Sequence, residues 1–191
     1  MRNLIAISAP SGTGKSTLCE EVRRKKPEIK FSVSCTTRPK RNYEKDGINY
    51  YFLTEDEFKS KIKNNELLEY EEVHGYYYGT LINTLKNAIS SKELMLFDVD
   101  VNGAMSIKKK YPKNTLTVFI LPPSIEDLKV RLINRGTDSR KIIKKRLERT
   151  NKEMKFKDKF DTFMINDDLS SAVKKLNEII TNQEKGVLYG S

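Results

Sequence analysis

Short apolar runs alternate along this chain with stretches in which apolar residues recur every three or four positions, the pattern of strands interleaved with amphipathic helices. Asn3 to Ser8 is the first such run, followed by a glycine-containing loop and a helical period from Lys15 to about Lys25. Lys30 to Ser34 and Ile48 to Leu53 read as strands on either side of a polar, aperiodic segment, CTTRPKRNYEKDG. Thr54 and Glu57 stand at capping-box spacing ahead of EDEFKSKIKNN, which predicts a helix there. Leu67 to Val73 and Tyr76 to Thr80 predict two strands joined by a turn at His74-Gly75, and Leu81 to Ser90 predicts a helix. ELMLFDVD is the most apolar run and ends in two acids; a helix over Asn102 to Lys110 and a strand over Leu116 to Leu121 follow it. Ile125 to Asn134 predicts the next helix, which RGTDS breaks. Ser139 is placed to cap a basic helix reaching about Lys157. Phe160 to Ile165 is a last strand, and DDLSSAVKKLNEIITNQ a last amphipathic helix.

Strand–helix alternation at the start and in the second half implies an α/β core with a parallel sheet flanked by helices. The strand-rich middle, about Phe31 to Thr80, implies an inserted lobe of mixed β-structure. The 191 residues fit a single domain with insertions, and neither an internal repeat nor a Gly/Ser tether divides them.

Composition narrows the setting more than the chemistry. Hydrophobic residues make up 37% of the chain and charged residues 32%, with a net charge of +10. A basic balance attracts polyanions. Here, however, the lysines are spread along helical segments such as SIKKKY, as on a solvated surface, with neither zinc-finger spacing nor an RNA-binding aromatic motif; a nucleic-acid partner is not expected. No run approaches the ~18 apolar residues of a membrane span. Cys19 and Cys35 are too few for a disulfide framework and read as free thiols in a reducing compartment, so a cytoplasmic protein is expected.

The loop after the first strand carries the first chemical signal. APSGTGKS, residues 9–16, matches the phosphate-binding pattern G-x-x-x-x-G-K-[ST] except that Ala9 stands at its first glycine. Gly12 and Gly14 free the backbone so that N–H groups turn toward phosphate oxygens, and the following helix adds its positive end. Lys15 supplies a mobile cation and the Ser16 hydroxyl a magnesium ligand, while Ser11, Thr13 and Thr17 complete the loop. Pro10 biases Ala9 toward extended backbone, so the chain is expected to turn only at Gly12 and the loop to be competent.

A phosphate loop alone leaves kinase, GTPase, motor and transporter open. In FSVSCTTRPKRNYEKDGINYYF, Arg38 and Arg41 stand three apart between Ser34 and Tyr50. Two guanidiniums with nearby hydroxyls suit a dianionic phosphate, although the segment taken alone reads more simply as a solvated basic turn. With its neighbours it says more. Ser34-Cys35-Thr36-Thr37-Arg38 with Arg41, Glu44-Lys45-Asp46-Gly47 with Tyr50, Leu68-Glu69, and Tyr77-Tyr78-Gly79-Thr80 stand in order, followed by FDVDVNGA, RLINRGTDS with Arg146, and INDDL. Together these resemble the guanylate kinases, P-loop nucleoside-monophosphate kinases that phosphorylate GMP, over essentially the whole chain.

The resemblance implies a P-loop core (1–33, 81–130 and 158–191), a GMP-binding lobe (34–80) and a helical lid (131–157). It implies transfer of the γ-phosphoryl group of ATP to GMP, and to dGMP, with Mg2+ as cofactor. Ser34, Arg38, Arg41, Tyr50 and Tyr78 would hold the GMP phosphate, and Glu69, Thr80 and Asp98 the guanine or its nucleoside. Lys15, Arg41, Arg135 and Arg146 would be catalytic, Arg131 would join the loop at ATP, and Asn166 and Asp167 would contact adenine. Asp100 would reach magnesium through water. The partners would be these small molecules alone, with no membrane and no nucleic acid, on a monomer or weak homodimer. The carboxylate makes chemical sense, since guanine presents two donors on one edge where adenine presents a ring acceptor. Tyr43 and Tyr76 depart from the family's usual glycine and asparagine, and the proline at 39 lies one place early. A scaffold module that has lost catalysis, a basic nucleic-acid-binding P-loop protein, and an adenylate or thymidylate kinase are the rival readings. The intact Lys15 and Ser16 with Arg41, and the Glu69 and Y-Y-G-T features, weigh against them.

Overall fold

The computed structural model describes residues 2–73, 75–134, 136 and 139–186. Within them the chain forms β1 (Leu4–Ser8), α1 (Lys15–Lys25), β2 (Lys30–Phe31), β3 (Cys35–Thr36), β4 (Tyr51–Phe52), α2 (Glu55–Lys63), β5 (Leu67–Val73) and β6 (Tyr76–Leu81). There follow α3 (Ile82–Ser91), β7 (Met95–Asp98), α4 (Val101–Lys110), β8 (Thr115–Leu121), α5 (Ile125–Asn134), α6 (Arg140–Met154), a short 3-10 turn, β9 (Thr162–Ile165) and α7 (Leu169–Glu184). His74, where the sequence predicts a turn, and Arg135, expected to be catalytic, lie outside the described residues.

Five strands form a parallel sheet in the order β2-β7-β1-β8-β9. Alternation along β1 feeds two cores: Ile5 and Ile7 pack toward α1 and α7, and Leu4 and Ala6 toward α3 and α4. Burial on both faces explains why β8, TLTVFIL, is buried at every position. Because the chain runs from β1 to the outer strand β2 and returns to β7 on one side, then crosses to β8 on the other, the strand order reverses beside β1. That reversal opens a crevice at the carboxyl ends of the strands, where α/β folds bind ligands. The phosphate loop leaves β1 at this point.

The loop departs from the sheet as expected. Ala9 is 9% exposed, packs in the core beneath α1 and has no left-handed backbone; the turn falls at Gly12, where Thr13 N–H donates to the Pro10 carbonyl at 3.2 Å. Gly12 (φ 90°) and Gly14 (φ 94°) occupy the left-handed region that the other residues of the loop avoid. A Cβ at Gly12 would also stand 2.8 Å from a Leu132 methyl group, so the loop is pressed onto α5.

A second sheet, β4-β3-β6-β5, mixes parallel and antiparallel pairs. Phe58, fully buried on α2, is its keystone, with Cys35 and Leu67 around it and the Tyr77 ring stacked at 5.4 Å. The Thr54 capping box at the start of α2 is formed at both ends.

Three elements differ from the sequence expectation. The strand expected over Lys30 to Ser34 is only Lys30–Phe31, because the chain leaves the large sheet there and joins the small one at Cys35. The strand expected over Ile48 to Leu53 shrinks to Tyr51–Phe52, since Asp46 and Asn49 side chains accept the Phe52 and Lys45 N–H groups in a local turn. The basic helix ends at Met154 rather than near Lys157, where Phe156 turns back onto the core.

Phe58→Ala should cost about 3–5 kcal/mol by leaving a large buried cavity. Native-state hydrogen exchange should show faster exchange at β5 and β6 with little change at β1 and β8; uniform loss of protection in both sheets would contradict a separate small core.

Candidate active site

Two cavities adjoin at the carboxyl ends of β1 and β7. The first, of about 280 Å³, is walled by Ser34, Tyr50 and Tyr78 from the small-sheet region, Glu69, Glu71 and Thr80 from the β5–β6 hairpin, and Asp98 and Asp100 after β7. The second, of about 480 Å³, lies between Ser11 of the loop and the α6 side chains Lys145, Arg146 and Arg149. Lys15, Asp100 and Arg149 line both.

Lys15 stands at the junction. Its Nζ lies 2.5 Å from Asp98 Oδ1 and donates to the Val99 carbonyl at 2.6 Å. Burial works against its charge, but Asp98, by proximity and hydrogen bond, outweighs this and raises the Lys15 pKa above the ordinary lysine value. The N-terminus of α1 carries no side-chain cap, which leaves its first N–H groups open to an anion.

The hairpin register sets the floor of the first cavity. Between Leu67↔Leu81 and Glu69↔Thr80 the pairing slips by one residue, a bulge that turns Glu69 away from the Phe58 core. Thr80 Oγ1 then donates to Glu69 Oε1 at 2.6 Å. Burial raises the Glu69 carboxyl above the usual carboxylate range, and the Asp100 charge adds to it against the Thr80 hydrogen bond. Gly79 sits in the facing strand where a Cβ would lie 3.0 Å from the Glu69 carbonyl, so the hairpin needs glycine to close over it.

Neither Arg38 nor Arg41 lines this cavity: Arg38 packs behind Tyr50, which does, and Arg41 is exposed beyond it. Glu44, 7% exposed, receives Arg38 through both terminal nitrogens (3.0 and 2.7 Å) and the Arg41 N–H at 2.8 Å. The Arg38 guanidinium packs over the Tyr50 ring at 5.6 Å, and Tyr50 meets Tyr78 edge-on at 6.0 Å. Arg41 donates to the Tyr43 hydroxyl at 2.9 Å, so the residue that departs from the family pattern touches a residue the resemblance assigns to phosphate.

At the far side of the loop, the Arg131 guanidinium donates to the Asn166 and Asp167 carbonyls, both at 3.0 Å, and approaches that of Thr13 at 3.5 Å. The Asn166 amide donates to the Thr13 carbonyl at 2.7 Å and fills the space a Cβ at Gly14 would need. These two side chains fasten the β9–α7 turn to the phosphate loop. Ser16 and Thr17 are exposed at the start of α1. Asp100 caps α4, accepting the Gly103 N–H at 2.7 Å, with its other oxygen 4.0 Å from Arg149.

Glu71 and Arg149 went unassigned in the sequence, although each follows an assigned residue at its element's period: Glu71 two after Glu69 on a strand, Arg149 three after Arg146 on a helix. Arg149 is not one of the solvated charges its basic helix suggests: it reaches both Glu71 oxygens at 3.3 Å. Burial and a hydrogen bond shared with Asp100 push the Glu71 carboxyl up to about 7, against the pull of Arg149.

Among the described residues no cluster of three or more His, Cys, Asp or Glu side chains is arranged to hold a metal ion, and no helix is long and apolar enough to cross a membrane. The Ser16 hydroxyl and the nearby carboxylates are hard oxygen donors that fit a magnesium ion.

Comparison with known proteins agrees over nearly the full length. The sequence profile of the family described as guanylate kinase matches residues 1–183. The guanylate kinase of Chlorobium luteolum is 45% identical over 179 residues, covering 94% of this chain and 91% of that protein. That of Porphyromonas gingivalis is 46% identical over 182 residues, covering 94% and 97%. The crystal structure of guanylate kinase from Anaplasma phagocytophilum superimposes with a TM-score of 0.76 at 27% identity, covering 94% of this chain and 85% of that one.

The Arg38 hydrogen bonds hold the Glu44 carboxyl below the usual carboxylate range, against burial, with the Arg41 N–H adding to them. A depressed carboxylate stabilises the fold above its unfolded-state pKa, and that contribution fades as pH falls through the folded value. Denaturant midpoints measured downward from pH 5 should therefore drop more steeply in the wild type than in Glu44→Gln, beginning near about pH 4.3. Parallel pH profiles would contradict the pairing.

Proposed function

The chain belongs to the guanylate kinase family, and we propose that its paired cavities transfer the γ-phosphoryl group of ATP to GMP, giving ADP and GDP. The observation that carries this reading is the junction itself: one lysine serves the end of a phosphate loop and, through Asp98, the wall of a cavity floored by a half-buried carboxylate. The lobe over 34–80 takes GMP, the helical region over 131–157 acts as lid, and the remainder is the ATP-binding core.

Guanine enters the first cavity with its ring N–H and exocyclic amine toward Glu69, whose carboxylate accepts from both. An adenine would set a lone pair against that charge as the base covers it, and sites of this kind reject the wrong ligand strongly. Ser34, Tyr50 and Tyr78 with Arg38 and Arg41 receive the GMP phosphate, Arg38 held in place by Glu44. Tyr43 gives Arg41 a neutral partner that a phosphate can displace. dGMP meets the same base and phosphate contacts.

ATP phosphates lie along the loop amides and the N-terminus of α1, with Lys15 and Arg146 on either side; Arg135 belongs to the same lid. Arg131 and the Asn166–Asp167 turn brace the loop from behind and bound the adenine side. Mg2+ held by Ser16 directly and by Asp100 through water would neutralise phosphate charge. A GMP phosphate oxygen attacks the γ-phosphorus as its bond to the β,γ-bridging oxygen breaks and ADP leaves. The nucleophile is already anionic, so no general base is needed, and the protein's work is positioning and charge cancellation. The partners in this reading are small molecules, and a monomer or weak homodimer in the cytoplasm suffices.

Lys15→Ala should reduce ATP-dependent GDP formation by at least about a thousandfold, a loss of ~4 kcal/mol of transition-state stabilisation. Glu69→Gln should weaken GMP selectively, raising its KM about a hundredfold with a smaller change in the KM for ATP. An active Lys15→Ala protein, or equal effects of Glu69→Gln on both substrates, would refute these assignments.

A further inference from the structure

Arg149 occupies the wall between the two cavities and touches both sides of it. Its Nε donates to Glu153 Oε1 at 2.8 Å, and Glu153 lines the ATP-side cavity. Its terminal nitrogen reaches both oxygens of Glu71 at 3.3 Å, and Glu71 lines the GMP-side cavity. The same nitrogen lies 4.0 Å from Asp100, which faces both. The three carboxylates come from three separate places: α6 itself, β5 of the small sheet, and the N-cap of α4 on the core. The Glu71 and Arg149 side chains are 34% and 42% exposed, so the bridge is accessible enough to open and close.

We propose that Arg149 is a positioning residue that clasps the lid helix to the GMP-binding lobe through Glu71, so that closure of the lobe around GMP draws α6 and its cations over ATP. The proposal rests on the kinase reading above and adds a coupling between its two sites. A guanidinium suits the role because its planar fork presents donors on separated edges at once. Arg149 can keep Glu153 on its own helix with Nε while its outer nitrogen engages the other lobe. A lysine ammonium keeps the charge, but its three donors sit on one nitrogen and cannot reach the two carboxylates from separated edges. Arg149 also offsets part of the negative charge that Glu71 and Asp100 bring together, which favours the approach of their two elements. Because binding linkage is reciprocal, GMP should tighten ATP by the same factor by which ATP tightens GMP.

Calorimetric titration with the β,γ-imido analogue of ATP and Mg2+, with and without saturating GMP, reads that factor directly. In the wild-type protein GMP should tighten the analogue at least about fivefold. Glu71→Gln, which alters only the GMP-side cavity, should cut the enhancement about three- to fivefold while leaving affinity without GMP within about twofold; Arg149→Gln should cut the enhancement by as much, and the double variant should be no worse than either single variant. Arg149→Lys should restore only part of it. Thermal melts identify a variant that has lost its fold, and Arg149→Lys, the smallest change, still reads the coupling in that case. Three results would overturn the clasp: an unchanged enhancement in both single variants, additive losses in the double variant, or a weakening of the analogue by Arg149→Gln that is equal with and without GMP, which would make Arg149 a direct phosphate ligand. Absence of any GMP binding to the wild-type protein would instead refute the kinase reading itself, and the clasp with it.

Discussion

The contact between Lys15 and Asp98 organises the molecule's chemistry. A phosphate loop at the end of β1 and an acid at the end of β7 are adjacent only because β1 and β7 pair in parallel, with Ile7 opposite Asp98. That register sets the loop's cation against the wall of the first cavity. It also places the site in the crevice where strand order reverses, so no loop has to fold over a face of the sheet to build it. Two polyanions can react only where their repulsion is cancelled, and at this junction Lys15 of the loop and Arg149 of α6 face the same space.

The small sheet answers a different demand. Holding a carboxylate partly out of water is costly unless its partners are preorganised. The β5 bulge and the cross-strand Thr80 hydrogen bond supply that preorganisation, and Phe58 anchors the hairpin from behind. Glu44 does the same for Arg38, holding a cation ready that would otherwise swing in solvent. Second partners of this kind give the cavity its shape while the residues that face the ligand remain available.

Much of this was legible in the chain. Continuous apolar runs marked β1, β7 and β8 because a parallel sheet buried on both faces must be apolar on both. The Thr54 capping box and the 9–16 loop are local features, written in adjacent residues, and both form as read. Ala9 also resolved locally: Pro10 holds it extended, and the left-handed turn falls at Gly12. The strand over Lys30 to Ser34 was misjudged because alternation says nothing about which sheet a residue joins, and the chain changes sheets after Phe31. Arg149 and Glu71 were missed for a related reason. Their pairing joins positions 78 residues apart, and a basic residue on a basic helix looks solvated until the opposing carboxylate is seen. Asn166 and Arg131 show the same limit: their partners are backbone carbonyls, which carry no sequence signature.

The central claim is that one site joins an ATP phosphate loop to a guanine-reading acceptor cavity. The most direct test is ADP release measured with GMP, dGMP, AMP, UMP and TMP as acceptors under identical conditions with Mg2+ and ATP. The account predicts rapid release with GMP, release with dGMP, and kcat/KM for AMP, UMP and TMP lower by at least about a thousandfold. Turnover with AMP equal to that with GMP, or none with GMP, would contradict it.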